Sequence, residues 1–90
     1  MTPETVVRVA DGCATERVGA EAVVWLEAEG TLHLLDPPGA VVWGCLVGPM
    51  IAGDLARRVA NHVVGDPTQV RDDVLEFLAT MVERSLIVSG

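Results

Sequence analysis

The sequence predicts an α+β fold in which a three-stranded antiparallel sheet is followed by three helices. Three observations carry this. Through the first third of the chain the apolar residues fall in short runs broken by glycine turns; from Asp36 onward their period lengthens toward 3.6; and the pair Asp-Pro occurs twice, at 36–37 and 66–67. Ninety residues fit one domain with one modest core.

The strands are expected at Cys13–Val18, Ala22–Ala28 and Thr31–Leu35, with turns at Gly19-Ala20 and Glu29-Gly30. The run Ala-Val-Val-Trp-Leu at 22–26 is apolar on both faces, the pattern of a central strand. Val6–Ala10 is a candidate for a further short strand, within an N-terminal segment 1–12 that precedes the domain at 13–90.

Asp36-Pro37 is a helix start: a side-chain acceptor at the N-cap, then proline where its missing N–H costs nothing. The first helix should run from Pro37 to about Leu46 and bury Val42, Trp43 and Leu46. Gly48-Pro49 ends it. Ile51, Leu55, Val59 and Val63 then recur every four residues, with Arg57, Arg58 and Asn61 between them, which defines a one-sided second helix. Asp66-Pro67-Thr68-Gln69 repeats the start signal and places Gln69 where it can reach back to the cap. The third helix, Pro67 to about Arg84, carries Val70, Val74, Phe77 and Met81 in one stripe. Arg71, Leu75, Leu78 and Val82 lie beside that stripe, and Asp72, Glu76 and Glu83 behind it. So wide an apolar sector needs more than one neighbour. Leu86-Ile87-Val88 should pack back on the core.

Composition excludes several functions. Thirteen acids stand against six arginines and no lysine, and the net charge of -7 repels phosphate backbones and anionic lipid surfaces, so neither nucleic acid nor membrane is an expected partner. The apolar stretches are short, and Met1–Asp11 lacks a basic region followed by an apolar run; a soluble, cytoplasmic protein is expected. Cys13 and Cys45 stand 32 residues apart with no CxxC pair and no histidine at zinc-ligand spacing, so no metal site is expected and Cys45 reads as a small buried hydrophobe.

Nothing in the spacing points to an enzyme. No nucleophile stands with a base, Asp72-Asp73 fall on the solvated back of the third helix, and no glycine-rich phosphate cradle is present, so no catalytic residue and no cofactor is expected. His33 and His62 read as surface or half-buried histidines. Strands followed by helices joined through a short turn also describe a winged-helix DNA-binding regulator. Against that alternative, Asp72, Asp73, Glu76 and Glu83 occupy the helix that would enter the groove, where basic and amide side chains are needed.

Two segments resemble a known family. Leu34-Leu35-Asp36-Pro37-Pro38-Gly39-Ala40-Val41-Val42-Trp43 is similar to the Leu-Asn-Pro-Thr-Gly-Ala plus Trp segment of PqqD-like proteins. Asp73-Val74-Leu75-Glu76-Phe77-Leu78 followed by Glu83-Arg84-Ser85-Leu86-Ile87 resembles their closing signature, Asp-Val-x-x-Phe-Leu then Glu-Arg-Gly-Leu. The resemblance covers roughly residues 13–88. Such domains are the recognition elements of ribosomally made peptide natural products (RiPPs). The resemblance implies a non-catalytic, winged-helix-like domain that takes up the leader segment of a precursor peptide as an added strand. It would then deliver the precursor to a modifying enzyme, a radical SAM protein or a leader peptidase with a cyclase, as in lasso-peptide pathways. Asp-Pro-Pro-Gly-Ala leans toward the lasso type. The sequence departs from the family at Asp36, usually Asn; at Met50, usually a Thr or Ser cap; and at Ser85, usually Gly. The last two changes would each cost on the order of 1 kcal/mol.

An open sheet edge is normally guarded by lysine, proline or a bulge. Thr31–Leu35 has no such guard: Leu32, Leu34 and Leu35 flank His33. The expected peptide site is therefore Leu32, His33, Leu34 and Leu35 on the strand and Val74 on the third helix, with Arg71, Leu75 and Leu78 walling the groove opposite Leu32 and Leu34. A subunit that only scaffolds two enzymes, with no groove, is a further reading.

Overall fold

A computed structural model describes residues 1–90. In chain order the elements are β1 (Val6–Val9), β2 (Cys13–Val18), β3 (Glu21–Leu26), β4 (Thr31–Leu35), α1 (Pro37–Cys45), β5 (Met50–Ile51), α2 (Ala52–Ala60), α3 (Pro67–Glu83) and β6 (Ile87–Ser89). The fold is α+β, as expected, but it holds two three-stranded antiparallel sheets, ordered β2-β3-β4 and β5-β1-β6.

In the first sheet β3 is central, as its apolar run predicts. It ends at Leu26 rather than Ala28, because Glu27–Gly30 form the turn, with Glu29 N–H donating to the Leu26 carbonyl and Gly30 N–H to that of Glu27. Gly30 takes the left-handed φ of 64° that this turn needs. Ala22, Val24 and Leu26 point into the core, while Val23 and Trp25 point outward and no element of the chain covers them. On the inner face the Trp43 indole N–H donates to Thr15 Oγ1 at 2.9 Å, tying α1 to β2.

The N-terminal segment is more than a lead-in. β1 is the middle strand of the second sheet, pairing Val6 and Val7 with Ile51 and Met50, and Val7–Val9 with Ser89–Ile87. Val7 is fully buried. This segment also explains how α2 starts without a side-chain cap: the Ala52 N–H donates to the Thr5 carbonyl and the Gly53 N–H to that of Pro3, each at 2.8 Å. Backbone carbonyls from residues 3–5 thus do the work of the absent Thr or Ser.

The other helix ends follow local chemistry. Asp36 caps α1 by accepting from Gly39 N–H at 2.9 Å, and Asp66 caps α3 by accepting from Thr68 N–H at 2.9 Å. Gln69 does not reach back to the cap; its amide donates to Asp73 one turn on. At the far end of α3, Ser85 adopts φ 64°, with its N–H on the Val82 carbonyl and the Leu86 N–H on that of Met81. That is the left-handed helix stop usually occupied by glycine. Leu86 and Met81, brought together by it, are both buried.

The core is one cluster drawn from every layer, including Val24 and Leu35 from the first sheet, Trp43, Leu55 and Leu78 from the helices, and Val7 and Ile87 from the second sheet. Cys45 is buried in it and Cys13 half-buried at its margin, both as free thiols. Burial pushes both thiols up, and the charge of Arg58 partly offsets this at Cys45.

Three outcomes follow. Ser85→Gly should raise stability by about 1 kcal/mol, read as a Tm several degrees higher, because only glycine takes a left-handed φ without strain. Deleting residues 1–9 should destabilise by on the order of 3 kcal/mol or more, seen as a collapsed urea midpoint, since it removes the middle strand of the second sheet with its buried Val7 and the cap of α2 together. Folded thiols hold their protons more tightly than unfolded ones, so their contribution is whole below the ordinary thiol value of 9.0 and lost as the pH rises past it. With no lysine or tyrosine in the chain, the fall in Tm above that pH should vanish in a Cys13→Ala, Cys45→Ala protein.

Candidate peptide-binding groove

β4 is an edge: it pairs through all five residues with β3, from Thr31 with Leu26 to Leu35 with Ala22, and has no partner on its other side. Strand pleating aims alternate N–H and C=O groups away from β3, so this side offers a row of unpaired donors and acceptors. β2, the opposite edge of the same sheet, carries Glu16 and Arg17. β4 carries no Asp, Glu, Lys or Arg, and the His33 ring meets Thr31 Oγ1 at 2.9 Å.

Beside β4 lies a groove of about 780 Å³. Its strand side is formed by Leu34 and Leu35 with the start of α1, and its far wall by α3, through Val70, Val74, Phe77 and Met81. A volume of this size suits a segment of peptide or a small molecule. The groove exists because α3 packs on α2 and on β6 rather than on β4. Where α3 does approach α1, the Phe77 ring lies over Gly39, where an added methyl group would come within 2.9 Å of Phe77 Cε1. Glycine at 39 is therefore needed for close approach, not for its φ. The floor is apolar and the rim is polar: Glu21, Asp36, Asp73 and Glu76 stand along it, with Arg84 as the one cation.

Of the residues expected in the site, Leu35 and Val74 come together in this groove, with Leu34 at its mouth, its side chain on the outer face of the sheet beside Val23. Arg71, Leu75 and Leu78, the expected wall, are not among the residues that line the groove. Leu78 is fully buried in the core and Leu75 is packed against that core. Arg71 lies by a separate, smaller depression of about 290 Å³ with Pro3 and Arg57, and its nearest anion is Asp72 at 3.9 Å. The part of α3 that lines the groove is its first apolar stripe, in which Val74 and Met81 are buried as deeply as Leu78 while Val70 and Phe77 are half-buried. Leu32 and His33 remain on the edge strand outside the groove; Leu32 is 65% exposed on the outer face, and His33 is half-buried on the inner one. Phe77, Val70 and Met81 were not among the expected site residues. Helical periodicity marked their stripe as apolar, and only the tertiary packing decides which stripe lines the groove.

Nowhere do three His, Cys, Asp or Glu side chains converge as metal ligands do, and no helix is long and apolar enough to cross a membrane.

The fold has counterparts. No curated protein matches the sequence. Among solved structures, TbiB1 in complex with the TbiA(beta) leader peptide superposes with a TM-score of 0.77 at 19% identity, over 89% of this chain and 93% of that one. At that identity the likeness is one of fold. The family model described as coenzyme PQQ synthesis protein D (PqqD) matches residues 19–87, from the turn before β3 into β6, and so takes in β4, α1 and α3, the elements that frame the groove. The chain belongs to the PqqD family of RiPP recognition elements.

Proposed function

We propose that this protein binds the leader segment of a ribosomally synthesised precursor peptide, which adds as a strand to the open edge of β4 and sets alternate side chains into the groove against α3. The observation that carries this reading is the pairing of an unguarded strand edge with an apolar groove directly beside it. Main-chain bonds to the edge supply affinity without discrimination, and pockets for alternate side chains supply the discrimination. The family membership supports the same reading, as does a neighbour of this fold that was solved with a leader peptide bound.

In this role the protein performs no chemistry on the peptide. It presents the precursor to a modifying enzyme, either a radical SAM protein or a leader peptidase with a cyclase. The lasso type is favoured by the Asp36-Pro37-Pro38-Gly39-Ala40 segment, in which Asp36 caps α1 at the end of the groove. The winged-helix regulator is disfavoured, because the exposed face of α3 offers Asp72, Asp73 and Glu76 to any approaching phosphate. A segment of this length buries a small to standard interface, and ordering a flexible peptide offsets much of the gain, so micromolar to nanomolar affinity is expected.

Leu34→Pro removes a backbone donor from the edge strand and stiffens it. Titrated with a synthetic leader peptide that the native protein binds, the variant should show no binding heat while keeping the helical circular dichroism of the native protein. Unchanged affinity in a folded Leu34→Pro protein would rule out strand addition at β4.

A further inference from the structure

The outer face of the β2-β3-β4 sheet grades from polar to apolar in a direction opposite to that of a protected sheet. Strand register lines up two rows on that face: Ala14, Trp25 and Leu32 in one, and Glu16, Val23 and Leu34 in the other. At the β2 end the second row begins with a carboxylate. At the open β4 end both rows finish in leucine, 65% exposed at Leu32 and 64% at Leu34, and Trp25 behind Leu32 is 40% exposed. Scattered exposed leucines need no explanation, but adjacent ones at the unpaired border of a sheet, flanking a tryptophan, form a patch. Such borders are where charge is ordinarily placed to prevent pairing.

We infer that Leu32 and Leu34 form a second specificity surface, so that this protein selects a leader segment that is apolar on both faces of its strand. The inference rests on the strand addition proposed above. A strand added to β4 sets every second side chain in the groove and the intervening ones on the outer face, because side chains alternate across a strand. The outward ones continue the two rows, with Cβ atoms roughly 4.5–5.5 Å from those of Leu32 and Leu34, within reach of apolar side chains. An acidic or basic side chain there would have a leucine as its cross-strand neighbour. The recognised segment is thus a run of consecutive apolar and β-branched residues, not one that alternates apolar with charged.

The incoming strand fits this patch better than a second copy of the protein does. Two outer faces laid together would oppose Glu16 and Glu21 of each copy in a chain of net charge -7. The added strand lies alongside β4, away from Glu16, and covers the two leucines where exposure is greatest.

The test is selection from a pool of synthetic nine-residue peptides. Leucine is fixed at alternate, groove-facing positions, and the intervening positions vary among Val, Thr, Lys and Glu. The native protein should enrich Val over Glu at outward positions by roughly fivefold per position. Leu32→Lys, a change at an exposed site, should reverse the preference at the position opposite residue 32 and leave the groove-facing requirement intact. Peptides bound with no preference at outward positions, yet lost when a groove-facing leucine becomes Asp, would overturn this inference and leave strand addition standing. If no peptide of the pool binds the folded protein, strand addition itself falls, and the inference with it.

Discussion

The separation between α3 and the edge of the first sheet is set where the Phe77 ring lies on the bare backbone of Gly39. Everything proposed for this protein depends on that spacing. A side chain at residue 39 would meet both Phe77 and the Asp36 carboxylate that caps α1, so contact and cap share one small space. With α3 held there and packed on α2 and β6, β4 keeps one side unpaired, and Val70 and Phe77 stay half-buried along the groove above the buried Val74 and Met81. A closer α3 would fill the groove; a more distant one would leave no wall.

The free edge is tolerated because the rest of the molecule is well tied. α1 is fixed across the inner face of the sheet by the bond from Trp43 to Thr15. The first nine residues serve two purposes at once: they form the middle strand of the second sheet and they donate carbonyls to the start of α2. That sheet closes the end of the molecule from which β6 leaves α3, through the strained stop at Ser85. Strain at one residue is accepted there because Leu86 and Ile87 are delivered to the core by it.

The two edges of the first sheet differ in a way that fits a binding surface. β2 carries Glu16 and Arg17, as an edge that must stay single should. β4 carries leucines on both of its faces: Leu35 toward the core, Leu32 and Leu34 toward solvent. Acidic residues then stand along the groove rim and repel polyanions from its apolar floor.

Much of the fold was legible in the sequence because its signals are local. Asp-Pro at 36–37 and 66–67 starts α1 and α3, Gly19 and Gly30 turn the strands, and the two family-like segments mark β4 with α1 and the end of α3. The edge strand could be read for the same reason: a strand without charge or proline is a property of five consecutive residues. What stayed hidden depends on partners distant in the chain. No local pattern says that Val6–Val9 will sit between Met50–Ile51 and Ile87–Ser89, or that the carbonyls of Pro3 and Thr5 will cap a helix some fifty residues on. Likewise both stripes of α3 are apolar, and periodicity alone cannot rank them. The sequence by itself determined the elements, their order and the unguarded edge. Only the tertiary structure decided that Val74 and Phe77 line the groove beside β4 and that Leu75 and Leu78 do not, because which residues of a helix meet a given neighbour is set by the packing and not by the helix's own sequence.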